Sequence, residues 1–125
     1  MNGRGVTVDS GVLIALDHRK AASLKLIRTL VANGRKITVP MVVLAEWWRG
    51  TTEQALWRRA FEIEEMKRPI AEAAGVALGA VAGATTIDAI VMASAALRGD
   101  IVYTSDVEDL TRLRSFFPNV RVFAA

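Results

Sequence analysis

VTVDSGVLIAL, residues 6–16, changes character in its middle. Val6, Thr7 and Val8 are β-branched and unbroken by charge, the composition of a short strand covered on both faces. From Ser10 the run suits a helix, and Asp9 stands at the join, where it closes the strand and can serve as the helix N-cap. Three more short segments read as strands: KITVP (36–40), DIVYTSD (100–106) and VRVFA (120–124). Helical spacing fills the intervals. Ala22, Leu26, Ile27, Leu30 and Val31 form a stripe that ends at Asn33-Gly34, a good C-cap. Leu56, Ala60, Phe61 and Ile63 form a second. Pro69 restarts the chain, residues 71–83 and 86–98 give two small-residue helices, and Leu110, Leu113 and Phe117 mark a last short one. Strands separated by helices predict parallel pairing through right-handed crossovers, in one α/β domain over residues 1–125.

Composition narrows the chemistry. The 125 residues hold no cysteine and one histidine, His18. A disulfide framework, a thiolate nucleophile, Cys-based zinc sites and a two-histidine acid–base mechanism are excluded. Carboxylates and metal are the remaining hydrolytic tools. A net charge of +3 and a pI near 9.8 lean toward a polyanionic partner. The N-terminal residues do not resemble a signal peptide. Residues 73–97 are long enough to span a bilayer, but they consist largely of Ala and Gly and carry Thr-Thr-Ile-Asp at their centre. They read as two helices broken near Gly83, and a cytoplasmic protein is expected.

The thirteen acids can be sorted. Glu53, Glu62, Glu64, Glu65 and Glu72 read as solvated helix faces paired with Arg or Lys. Asp17 ends the first helix, Asp100 lies in the turn before a strand, and Glu108 is on the surface. Asp9, Glu46, Asp88, Asp106 and Asp109 remain. Asp9 and Asp106 close the first and third of these strands, and ligands of parallel α/β sheets bind outside the carboxyl ends of the strands. Capping explains Asp9, and Thr85-x-x-Asp88 and Asp106-x-x-Asp109 loosely resemble capping boxes. Capping does not explain Glu46, which lies in a helix between Leu44-Ala45 and Trp47-Trp48. An exposed face beside Arg49, an ion pair or a shared cation are its three outlets. Acids gathered at one sheet edge repel one another and favour a divalent cation, and oxygen-only ligation suits Mg²⁺ or Mn²⁺. Such centres activate water for attack on phosphorus and stabilise the charge that develops there.

In this order and context the residues resemble a PIN domain of the VapC toxin type. The matching stretches are VTVDSGVLIAL, TVPMVVLAEWWRG (38–50), IDAIVMASAALRGDIVYTSD (87–106) and the closing VRVF (120–123), which together reach across nearly the whole chain. The resemblance implies a three-layer α/β/α sandwich around a parallel sheet of four or five strands. It also implies a Mg²⁺- or Mn²⁺-dependent endoribonuclease that cuts structured RNA such as tRNA or rRNA. Asp9, Glu46, Asp88 and Asp106 would be the acidic quartet, with Asp9 and Asp88 the foremost metal ligands and Asp106 and Glu46 completing the set. Ser10 and Thr104 match hydroxyl positions near the site, and Asp109 is a candidate fifth acid. The implied partners are a VapB-type antitoxin, through which alone DNA is reached, and a second copy of the chain. Ser10-Gly11 departs from the Thr-Ser or Ser-Ser of many relatives, a change expected to be tolerated.

Trp47, Trp48 and Trp57 can stack on bases but fit better as core or as a groove for the antitoxin. Arg49, Arg58, Arg59, Arg98 and Arg112 are candidates for phosphate contacts, with Arg49 and Arg98 put first. A receiver-like phosphate switch fits poorly, because Asp9 stands alone and no lysine follows Lys67. A non-catalytic PIN-like module and an RNA-processing nuclease without antitoxin stay as alternatives.

Overall fold

Val6–Val8 (β1) forms the centre of a five-stranded sheet in a computed structural model that describes residues 4–125. Ile37–Pro40 (β2) pairs with it on one side and Ile101–Thr104 (β4) on the other. Glu62–Glu64 (β3) lies outside β2, and Val122–Ala124 (β5) lies outside β4, giving the order β3-β2-β1-β4-β5. Every pairing is parallel, so all five carboxyl ends share one edge.

Parallel strands require crossovers, and the connecting segments are helical as their spacing demands. Ser10–Asp17 (α1) and Ala21–Ala32 (α2) link β1 to β2. Met41–Trp47 (α3) and Thr52–Arg58 (α4) lead to β3. Arg68–Ala80 (α5) and Thr86–Arg98 (α6) pack on each other before β4, and Val107–Arg112 (α7) leads to β5. Val6, Thr7 and Val8 are all fully buried, so helices cover both faces of the sheet centre. This is the expected α/β sandwich, with five strands. Thr51 and Thr85 cap α4 and α6 by accepting from the Gln54 and Asp88 amides, and Gly99, in the left-handed region, ends α6. Among the described residues no helix is long and apolar enough to cross a membrane; residues 81–85 separate α5 from α6, with Gly83 at φ 79°.

One stripe was misleading. Leu56, Ala60, Phe61 and Ile63 do not share a helix, because α4 stops at Arg58 and Glu62–Glu64 forms the edge strand β3. Phe61 turns into the core, its ring centre 6.0 Å from that of Trp47. A three-residue edge strand is too short to display alternation, and its two glutamates imitate a charged helix face.

Glu64 is accordingly not a solvated helix residue. It pairs with Arg98, which also donates to Asp100 (2.9 Å), Ser94 (2.8 Å) and Thr7 (2.6 Å). Thr7 donates in turn to Asp100 (2.9 Å), which is buried just before β4. This network runs from Asp100, just before β4, through Thr7 in the middle of β1 to Glu64 at the end of the edge strand β3, and it includes neither Asp9 nor Asp106.

Candidate active site

The carboxyl ends of β1 and β4 place two acids side by side. Asp9 caps α1, its Oδ1 accepting from the Val12 amide (3.1 Å) and its Oδ2 from the hydroxyl of Thr104. Thr104 is fully buried, and its Oγ1 also accepts from the Asp106 amide (2.8 Å). One hydroxyl therefore ties the first acid to the backbone of the second. Asp106 caps α7 and accepts from the Asp109 amide (3.4 Å). The capping readings hold for Asp9 and Asp106. At α6 the cap is Thr85, whose Oγ1 accepts from the Asp88 amide (3.2 Å) and leaves the Asp88 carboxylate free of that task.

Glu46 sits on the last turn of α3 and is exposed. Its outlet is the rim of a cavity of about 380 Å³ lined also by Asp9, Ser10, Thr85, Thr86, Ile87 and Asp88. Glu46 thus faces the same space as Asp9 and Asp88.

The acids feel one another. Burial pushes the Asp9 carboxyl above its ordinary range, against the hydrogen bonds from Thr104, Val12 and Ser105, and the Asp106 charge adds to the rise. Burial also raises Asp88. The Thr85 hydrogen bond opposes this, while the charges of Asp109, Asp9 and Asp106 reinforce it. Asp109 is raised by its hydrogen bond to Asp106 and by that residue's charge.

A carboxyl raised on folding favours the native state below its unfolded pKa, and that contribution is lost as pH rises through the folded value. At neutral pH the metal-free cluster therefore opposes folding. Asp88→Asn should raise the melting temperature of metal-free protein at pH 7 by about 3 °C. The gain should shrink as pH falls toward the ordinary carboxyl value of 3.8, which thermal melts across that range will show.

Asp9, Glu46 and Asp88 line the cavity without converging on a point, and Asp106 and Asp109 act on Asp88 through their charge. Among the described residues no three acidic or histidine groups stand at metal-holding distance. The donor set nonetheless fits a hard divalent cation: every donor is oxygen, and the shared repulsion is what a cation relieves.

Gly11 has a specific role in the site. A Cβ there would overlap the Ser105 hydroxyl and stand 2.9 Å from the Ser105 Cβ. The Ser10-Gly11 pair lets the turn after β4 close onto the start of α1, which keeps Thr104 within reach of Asp9. Gly11→Ala should destabilise the protein by about 1–3 kcal/mol. Adding Ser105→Gly should return part of the loss, measurable by urea denaturation. Ser105 had no signal in the sequence beyond its place between Thr104 and Asp106.

The cations separate. Arg98 is held by Glu64, Asp100, Ser94 and Thr7 and does not join Asp9, Asp88 or Asp106. Arg49 is exposed and donates to the Trp48 carbonyl (2.8 Å). Arg58 lies over the Trp48 ring at 4.2 Å. Arg112 pairs with Asp109 at 3.4 Å, beside the acid group. Trp47 is core, as expected, whereas Trp57 lines an apolar groove between α2 and α4 with Val31 and Leu56.

Neither a protein-family model nor a curated protein matches the sequence. Solved structures do match in shape. A chain of VapBC2 from Rickettsia felis, solved with a promoter DNA fragment, superposes with a TM-score of 0.73 at 12% identity, over 96% of this chain and 98% of that one. A toxin–antitoxin complex from Klebsiella pneumoniae gives 0.73 at 19% identity, over 93% and 95%. FitAcB from Neisseria gonorrhoeae gives 0.66 at 18% identity, over 94% and 96%. With a five-stranded parallel sheet and seven α-helices among the described residues, the chain has the PIN-domain fold of these toxin–antitoxin structures.

Proposed function

We propose that this protein is a Mg²⁺- or Mn²⁺-dependent endoribonuclease, the toxin of a VapBC-type pair. The observation that carries this reading is the gathering of Asp9, Glu46 and Asp88 around one cavity, with Asp106 and Asp109 near enough for their charges to act on Asp88. They come from four separate parts of the chain, in a fold shared with toxin–antitoxin structures.

Asp9 and Asp88 would hold the cation, with Asp106 and Glu46 completing the set and Asp109 adding charge. A bound divalent ion offsets the carboxylate repulsion and stabilises negative charge on the phosphate oxygens. The chain's own residues do the rest. Thr104 Oγ1 keeps Asp9 Oδ2 and the Asp106 backbone in register. Glu46, on the rim, is placed to orient the attacking water. Ser10 offers a hydroxyl at the cavity wall.

Arg112, beside Asp109, is the cation proposed to meet a substrate phosphate, with the exposed Arg49 a second candidate. Arg112→Ala should raise KM for RNA about fivefold, leave kcat nearly unchanged and reduce the salt dependence of binding by about one ion. Steady-state cleavage at two salt concentrations measures all three.

Structured RNA such as tRNA or rRNA is the proposed substrate, and a VapB-type antitoxin and a second copy of the chain are the proposed partners. The matched structure of VapBC2 was solved with DNA; here DNA is proposed to be reached only through the antitoxin. Induced expression should arrest growth and yield discrete RNA fragments, and co-expression of a neighbouring small open reading frame should relieve the arrest. Growth that continues unchanged opposes the toxin role. Arrest with RNA cleavage that no neighbouring gene relieves favours a processing nuclease.

A further inference from the structure

The two ends of α1 carry an aspartate each. Asp9 opens the helix at the acid cavity, and Asp17 closes it on the other side of the core. The Asp17 Oδ2 accepts from the indole Nε1 of Trp47 (3.0 Å) and from the amide Nε2 of Gln54 (2.8 Å). Gln54 is buried and uses its whole side chain. It donates to the Trp47 carbonyl (3.0 Å) and accepts from the Arg49 amide (2.7 Å), and its own amide donates to the Thr51 hydroxyl (3.1 Å). The three side chains hook the end of α3 onto the end of α1 and fix the path into α4.

Glu46 is the residue immediately before Trp47. Helix α3 has only 7 residues and no side-chain cap at its start, and at Trp48 the chain turns to an extended conformation. A helix this short does not hold its own last turn rigidly. Trp47 is nearly fully buried, so what fixes its indole and carbonyl fixes the direction of the adjacent carboxylate. Because the hook runs through α1, it also sets Glu46 relative to Asp9, the acid at the other end of that helix.

We propose that Asp17, which lies outside the cavity, is a positioning residue for Glu46, acting through the Trp47 indole and the Gln54 amide. Asp17 touches neither substrate nor cation. This rests on the reading of the acid cavity as a divalent-cation site, and binding of Mn²⁺ by the wild-type chain tests that reading separately.

The test is a double-mutant cycle read by Mn²⁺ titration, with folding of each variant checked by urea denaturation. Asp17→Asn should weaken Mn²⁺ binding about three- to tenfold in the wild-type background. In the Glu46→Gln background the same change should have no further effect, because the carboxylate it positions is already gone. Trp47→Phe, which keeps an aromatic ring and removes the N–H donor, should behave in the same way and serves where Asp17→Asn folds poorly. An equal loss in both backgrounds, or no loss in either, overturns the proposal even where the wild type binds Mn²⁺ well. Failure of the wild type to bind Mn²⁺ removes the cation site and this proposal with it.

Discussion

Asp9→Asn is expected to lower RNA cleavage at saturating Mn²⁺ by roughly 10³-fold while the protein stays folded. The substitution separates the two roles of Asp9. As an N-cap, asparagine serves about as well as aspartate, so the Val12 amide keeps its acceptor and α1 keeps its start. As a cation ligand, asparagine has lost the charge. A fall in cleavage without a fall in stability therefore assigns the ligand role. Removing a carboxylate whose pKa is raised by burial also removes a source of strain at neutral pH, so the metal-free variant should melt no lower than the wild type. Circular dichroism melts and initial cleavage rates on the same preparation measure both. Unchanged cleavage would return Asp9 to a cap and nothing more.

Arg98→Met is expected to act in the opposite sense, costing about 2–3 kcal/mol of stability at pH 7. Methionine replaces the apolar stem but leaves the Glu64 and Asp100 carboxylates without their shared cation. The loss has a pH signature. Burial by itself would raise the Glu64 carboxyl, but hydrogen bonds from Arg98 and Ser94 and the charges of Arg98 and Lys67 outweigh it and hold it below the ordinary 4.5. A lowered carboxyl contributes stability above its unfolded pKa and loses it as pH falls through the folded value. The gap between wild type and variant should therefore narrow in acid, below about pH 4.5. Urea denaturation at pH 7 and at pH 4 reads this directly. RNA affinity per folded molecule should not change, because the Arg98 guanidinium is taken up by Glu64, Asp100, Ser94 and Thr7. A raised KM with intact stability would restore Arg98 as a phosphate contact.

Much of this fold was legible because its signals are local. Val6–Val8 and Ile101–Thr104 are β-branched or aromatic throughout and carry no charge, as suits strands covered on both faces, and each is followed by an acid that also caps a helix. Once the strands are parallel, their carboxyl ends share an edge, so the meeting of Asp9 with Asp106 follows from topology. Thr85 and Asp88 announced the start of α6 through capping chemistry. Other features depend on contacts between distant residues. Glu64 reads as a surface acid until Arg98 is brought to it across thirty-four positions. Asp17 reads as a helix end until the Trp47 indole reaches it. Gly11 reads as a mild departure until Ser105 closes over it. In each case local composition is compatible with a surface role, and only the packing reveals the partner.

Glu46 shows both sides. Its oily neighbours marked it as unusual for a helix interior. It is in fact exposed, and the burial falls on Trp47 and Val43 beside it. What sets it apart is the cavity it borders, which cannot be read from α3 alone.

The central claim, that these carboxylates form a divalent-cation centre that cuts RNA, is tested most directly with the purified chain, free of any antitoxin. It should be incubated with structured RNA in Mg²⁺ or Mn²⁺, with and without EDTA. Discrete fragments that require the cation and vanish with EDTA are the expected result. Cleavage that persists in EDTA, or intact RNA under saturating cation with folded protein, would contradict the account.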